Sequence, residues 1–179
     1  MRVIGGEFRS RRLKTVSGLD TRPTPDRLRE TLFNILAPQI EGKTFLDAYA
    51  GTGAVGIEAL SRGASRARFV ESSRGAANVI RDNLTSLGLQ SRAEVYTGKV
   101  LQHLSGQAAS TYDIVFLDPP YDREREYGEA MRILGTMAAP LVIVQHSTRV
   151  KLQDVYGSLA RYRMVKQGDN ALSFYTGRA

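Results

Sequence analysis

The sequence predicts an α/β fold: a mostly parallel sheet with helices on both faces, an antiparallel hairpin at its C-terminal side and a small N-terminal β-hairpin arm. Three observations carry this. From residue 44 onward strand-like and helix-like patterns alternate, and each crossover between parallel strands must return over a face of the sheet. Near the C-terminal end the alternation gives way to two strand-like runs, 159–166 and 171–176, joined by the turn-rich link Gln167-Gly168-Asp169-Asn170. Length supplies the third: 179 residues fit one domain better than two.

Taken in order, residues 2–4 and 11–16 read as two short strands that turn at Gly5-Gly6 or just after. A polar loop over 17–22 leads to Pro23-Thr24-Pro25-Asp26, where Thr24 is a good helix N-cap and Pro25 suits the first helical position. The helix that follows places Leu28, Leu32, Phe33, Ile35 and Leu36 on one side and stops before Pro38. Parallel strands are expected at 44–48, 67–71, 93–97, 114–118 and 141–145. Helices are expected at 54–62, 74–87, 100–104 and about 125–137, with Gly88 as the C-cap of the second. The division is a basic arm over 1–21 and one catalytic-type domain over 22–179.

Composition narrows the chemistry. Hydrophobic residues make up 42% and charged residues 24%, enough to bury a core. With no cysteine and two histidines, disulfides, thiolate metal sites and cysteine nucleophiles are excluded, and no metal site is expected. No apolar run approaches the ~20 residues of a membrane span, and the first twenty residues hold no signal-peptide core, so a cytoplasmic protein without membrane association is expected. The net charge of +7 sits at the two ends: residues 1–14 carry +4, residues 149–179 carry +4, and the body between is nearly neutral. Basic ends on a neutral body suit a phosphate-rich partner, although solubility alone also accounts for them.

Two stretches carry chemistry. The first, Leu46-Asp47-Ala48-Tyr49-Ala50-Gly51-Thr52-Gly53-Ala54-Val55-Gly56, follows the first strand, where glycines let the backbone turn tightly toward a ligand over a helix N-terminus. Glu71 closes the next strand, so a dinucleotide reading arises from the glycines at 51, 53 and 56. Against it, Asp47, Tyr49 and Ala50 intervene where the dinucleotide strand runs directly into its first glycine, and Asp47 would repel a pyrophosphate. A ligand with an ammonium or sulfonium group suits Asp47, and Glu71 can accept both hydroxyls of a ribose. S-adenosylmethionine meets these demands; a tight turn without a ligand is the plain alternative.

The second stretch, Asp118-Pro119-Pro120-Tyr121, follows the fourth strand. The prolines fix the chain and give no amide donors, so the Asp118 carboxylate and the Pro119 carbonyl can both accept from an amino group. Tyr121 offers a flat face for an unstacked base. Two acceptors that hold the amine hydrogens out of the conjugated plane localise the nitrogen lone pair toward a methyl donor. The alternative is a rigid loop. His103 and His146 are isolated and read as surface or satisfied structural histidines. Arg27, Arg29 and Glu30 read as a solvated helix face or intrahelical pairs, and Arg123-Glu124-Arg125-Glu126 as a solvated loop or a flap that orders with RNA.

The pairing of D-x-x-x-G-x-G with D-P-P-Y resembles the class I S-adenosylmethionine-dependent amino-methyltransferases. Arg2-Val3-Ile4-Gly5-Gly6, the run RPTPDRLRETLFNIL at 22–36 and Leu60-Ser61-Arg62-Gly63-Ala64 make the chain similar to the bacterial 16S ribosomal RNA guanine-N2 methyltransferase family over nearly its whole length. The resemblance implies a Rossmann-like class I methyltransferase sheet of seven strands. It implies Asp47, Ala50, Gly51, Thr52 and Gly53 at the methionine end of S-adenosylmethionine, Glu71 at its ribose, and Asp118, Pro119, Pro120 and Tyr121 around the target amine. It also implies Thr24 and Arg22 beside the cofactor entrance, Arg22 within reach of RNA; the charge of the arm separately puts Arg9, Arg11 and Arg12 on RNA phosphates, with a purely structural hairpin as the alternative. The partner implied is 16S ribosomal RNA, alone or in an assembling small subunit, and the enzyme is expected to be a monomer. Gly98-Lys99-Val100 departs from the family, where an acid or amide accepts from the cofactor adenine; Lys99 cannot accept a hydrogen bond. Competing readings are methylation of adenine N6 in DNA or another RNA, a dinucleotide-dependent oxidoreductase, and a non-catalytic RNA-binding protein.

Overall fold

A computed structural model describes residues 1–16, 26–106, 112–120, 124–137 and 141–178. Thr24, Arg22 and Tyr121 lie outside the described residues, as does Arg123. The elements run α1 (Asp26–Leu36), β1 (Thr44–Ala48), α2 (Ala54–Ser61), β2 (Arg66–Glu71), α3 (Arg74–Ser86), a short 3₁₀ turn (Gln90–Arg92), β3 (Ala93–Thr97), α4 (Val100–Ser105), β4 (Ile114–Leu117), α5 (Glu124–Leu134), β5 (Leu141–Ser147), β6 (Val155–Tyr156), β7 (Leu159–Gln167) and β8 (Asn170–Gly177). They form one sheet in the order β3-β2-β1-β4-β5-β8-β7-β6. The first five strands are parallel, whereas β8, β7 and β6 each run antiparallel to a neighbour. Among the described residues the sheet therefore has eight strands where seven were expected. The extra one, β6, is only Val155–Tyr156, too short to show a period of two in the sequence.

Alternation along the strands divides the core into two layers. Phe45, Phe69, Phe116, Ile143 and Phe174 face α1, α2 and α3, while Leu46, Ala48, Val115, Leu117, Val142, Val144 and Tyr175 face α4 and α5. Of the predicted α1 stripe, Leu28, Leu32, Phe33 and Leu36 are buried and Ile35 is partly buried. Arg29, read as part of a solvated face or of an intrahelical pair, is buried and makes such a pair: its Nη2 donates to Asp26 Oδ1 at 3.0 Å and to the Arg2 carbonyl at 2.7 Å. Burial drives the Arg29 pKa down from its usual value. No helix among the described residues is long and apolar enough to cross a membrane.

The arm is a minimal antiparallel hairpin, an Arg2–Arg12 bridge flanked by bonds from Leu13 N to the Met1 carbonyl and from Val3 N to the Arg11 carbonyl, each 3.0 Å. The body of the protein holds it in place. The buried Glu58 of α2 accepts from the amides of Ile4 and Gly5 at 2.8 Å each, and from Arg62 Nε at 2.7 Å. Ser61 Oγ accepts from the Phe8 amide and donates to the Gly5 carbonyl. Asn83 of α3 exchanges two bonds with the backbone of Lys14. Val3 and Leu13 are buried in the same layer as α1.

Candidate functional site

The strand order turns back between β1 and β4, since the chain winds outward from β1 through β2 and β3 and resumes on the other side with β4 and β5. In open α/β sheets the crevice beyond the carboxyl ends at such a switch point is where ligands bind. Both chemical stretches end there. Asp47 lies opposite Phe116 and Ala48 opposite Leu117, so the β1 loop and Asp118-Pro119-Pro120 leave neighbouring strands side by side. This juxtaposition of segments remote in sequence is the central fact of the site.

The β1 loop is built by its own polar groups. Tyr49 takes φ 63°, rare for a residue with a side chain, and Gly51 and Gly53 take φ 55° and 78°. A Cβ on Gly51 would meet nothing within 4 Å, so the loop opens there to a ligand. A Cβ on Gly56 would lie 2.3 Å from Phe69 Cε1, so this third glycine serves close packing of α2 on the sheet. Ala50, nearly buried, accepts from the Gly53 amide and donates to Val70.

Asp47 is 2% exposed, and its Oδ2 accepts from the Gly56 amide at 2.8 Å. Its pKa is pushed well above the usual carboxylate value, chiefly by desolvation, with Asp118 and Glu71 adding negative charge. A cationic ligand reverses that penalty. Glu71 accepts from Gly51 N at 2.8 Å through Oε2 and from Ser73 N at 2.7 Å through Oε1. It thus fixes the loop, with acceptor lone pairs remaining. Thr52 turns toward the arm: its hydroxyl donates to the Met1 sulfur at 3.7 Å and its carbonyl accepts from Asn83 Nδ2. A cation-favouring buried acid, an open glycine and an acceptor on the adjoining strand fit S-adenosylmethionine. Lys99 is exposed at the start of α4 and its side chain caps nothing there.

On the β4 side Asp118 is half-buried, and Gln145 Nε2 donates to its Oδ2 at 3.2 Å. Gln145 is 1% exposed, and its Oε1 is buried without a partner. The Pro119 carbonyl accepts from the Tyr127 hydroxyl at 3.1 Å, which uses one of its two lone pairs. Gln145 and Tyr127 are missed by sequence reasoning. A glutamine ending an apolar strand and a tyrosine on an amphipathic helix have ordinary structural uses, and only β4–β5 pairing and α5 packing bring them to the Asp-Pro-Pro turn.

The remaining assignments separate clearly. His146 is buried, with Nδ1 against the Ser147 carbonyl at 2.8 Å and Nε2 against Ser173 Oγ at 2.9 Å. His103 Nε2 meets the Tyr112 hydroxyl at 3.0 Å. Both are satisfied structural histidines, and burial lowers the pKa of each. Of the arm arginines, Arg11 donates to the Ser86 carbonyl at 3.1 Å, at the C-terminal end of α3, while Arg9 and Arg12 are exposed. Because Glu7 and Phe8 are bonded to Ser61, the arm's tip lies at the far end of α2, about 12 Å along its axis from the glycine loop at 1.5 Å per residue.

A family model described as conserved hypothetical protein 95 matches residues 1–176. YlbH of Bacillus subtilis is 33% identical over an alignment covering 99% of this chain and 100% of that protein. Ribosomal RNA small subunit methyltransferase D of Escherichia coli is 42% identical over 69% of this chain and 61% of its own length. The solved structure of yhhF from Escherichia coli superposes with a TM-score of 0.87 and 36% identity, covering 100% of this chain and 98% of that one. The structure of TTHA0928 from Thermus thermophilus gives 0.79 and 31%, with coverage of 97% and 98%. The Rossmann-like α/β architecture is common to them.

Proposed function

Because the chain belongs to the conserved hypothetical protein 95 family, we infer that it is an S-adenosylmethionine-dependent methyltransferase that modifies the exocyclic N2 amine of a guanine in 16S ribosomal RNA. The observation that carries this reading is the β1–β4 register, which sets a cation-favouring acid and an open glycine loop beside two hydrogen-bond acceptors. When bound, S-adenosylmethionine supplies an electrophilic methyl group on a sulfonium. Asp47 and the backbone around Gly51 hold its methionine end, and Glu71 receives its ribose. The name of the Escherichia coli relative, a small-subunit ribosomal RNA methyltransferase, supports the class of acceptor.

Asp118 and the Pro119 carbonyl accept the two N2 hydrogens, which draws the nitrogen lone pair out of conjugation and aims it at the methyl carbon. Transfer from the bound sulfonium would form the nitrogen–carbon bond, return the carbon–sulfur pair to sulfur and leave S-adenosylhomocysteine. The methylated nitrogen then loses one hydrogen as a proton, with Asp118 its first acceptor and solvent its last. Gln145 holds the Asp118 carboxylate and Tyr127 holds the Pro119 carbonyl. Incubation of methyl-labelled cofactor with undermethylated 16S RNA, followed by nucleoside mass spectrometry, tests the reading. Labelled N2-methylguanosine is expected; N6-methyladenosine transfers the assignment to adenine, and no labelled nucleoside ends it.

A further inference from the structure

A groove of about 370 Å³ runs between α5 and the segment 149–153 that follows β5. Its wall includes Tyr127, whose hydroxyl is bonded to the Pro119 carbonyl, so the groove adjoins the place assigned to the target amine. Three cations line it, Arg132, Arg149 and Lys151, against one acid, Glu124. All three are exposed, and none forms an ion pair among the described residues. That sets them apart from Lys14, Arg62, Arg68 and Arg161, each of which pairs with an acid.

We propose that this groove binds the phosphodiester backbone of the RNA strand that presents the target guanine. The proposal rests on the reading of the protein as an RNA methyltransferase and adds where its substrate is held. Like charges gathered without partners repel one another in a way that an anion relieves, and phosphates bound by Lys and Arg release condensed counterions. A free nucleotide is the poorer occupant, because an open groove with its cations on exposed side chains suits a chain passing through. Phosphate contacts fix register without reading sequence, so the groove positions the strand while Asp118 and Pro119 receive the base. The arm, by contrast, turns its tip toward the far end of α2.

The test compares wild type with the triple variant Arg132→Ala, Arg149→Ala, Lys151→Ala, measuring affinity for a 16S RNA transcript across a range of salt. Binding should weaken, and the log–log salt dependence should become shallower by up to about 2, since each single-strand phosphate left without its cation accounts for about 0.7. Affinity for S-adenosylhomocysteine and Tm should be unchanged. Unaltered RNA affinity and slope in the folded triple variant overturn the proposal. If the triple variant melts early, Arg149→Gln alone, on an exposed segment, gives the same decision with a slope change of about 0.7. Loss of slope in an Arg9→Ala, Arg12→Ala variant with none in the groove variants moves docking to the arm and also overturns it. Failure of the enzymatic reading is separate: wild type would then transfer no methyl group to RNA, whatever the groove variants bind.

Discussion

Asp118→Ala is expected to reduce methyl transfer on the order of a hundredfold or more, the size of losing one group that stabilises the transition state. Affinity for S-adenosylhomocysteine, read by calorimetry, should stay within a few fold; activity near wild type removes Asp118 from the mechanism. Gln145→Leu separates positioning from packing. It deletes the bond to Asp118 and also removes a buried acceptor without a partner, so Tm should hold or rise while turnover falls about tenfold. A lower Tm with full turnover would make Gln145 a purely structural residue. Asp47 gives a pH dependence whose sign is fixed. Its folded pKa lies above the unfolded value near 3.9, so the free protein loses stability as pH rises from the unfolded toward the folded value. A bound cation favours the ionised form, so cofactor affinity should increase over that same rise. Asp47→Asn keeps an acceptor for the Gly56 amide and should flatten the profile, which calorimetry at several pH values will show.

At the scale of elements, the arm is a clasp closed on Glu58. Glu58→Ala leaves the amides of Ile4 and Gly5 without their acceptor and should cost roughly 3 kcal/mol, a value reserved for buried charged groups cut from their partners. Urea denaturation measures it; a loss below about 0.5 kcal/mol, typical of surface changes, would show that the arm is not held this way. Little of this clasp is legible in the sequence. Glu58 sits inside AVGIEALS, where one acid on an apolar helix reads as its solvent edge, and only the arm's return across α2 shows that the helix has none. The parallel strands and the α1 stripe are legible because alternation and 3.6-residue spacing are local. Asp47 and Asp118 stand out for the same reason, as unusual residues at strand ends. Gln145, Tyr127 and Arg29 depend on which strand or segment lies next to theirs, information that spacing along the chain does not contain.

Across the whole molecule, the two buried histidines set an acid limit. Each has its pKa lowered, so its neutral form is favoured by folding; stability is full above the unfolded value near 6.5 and is lost as pH falls through it toward the folded values. Thermal melts between pH 7.5 and 5 should show this decline, and His146→Gln should lessen it; a flat profile in wild type would contradict the lowered pKa values. The position of β8 has a different consequence, in biogenesis. This strand, the last in the chain, lies between β5 and β7 instead of at an edge. During synthesis the parallel half exists for some time with β5 as an open border, whose backbone groups are a template for another chain. A polypeptide ending before Asn170 keeps that border permanently. It should accumulate as aggregates, and sedimentation of a chain truncated before Asn170 checks this.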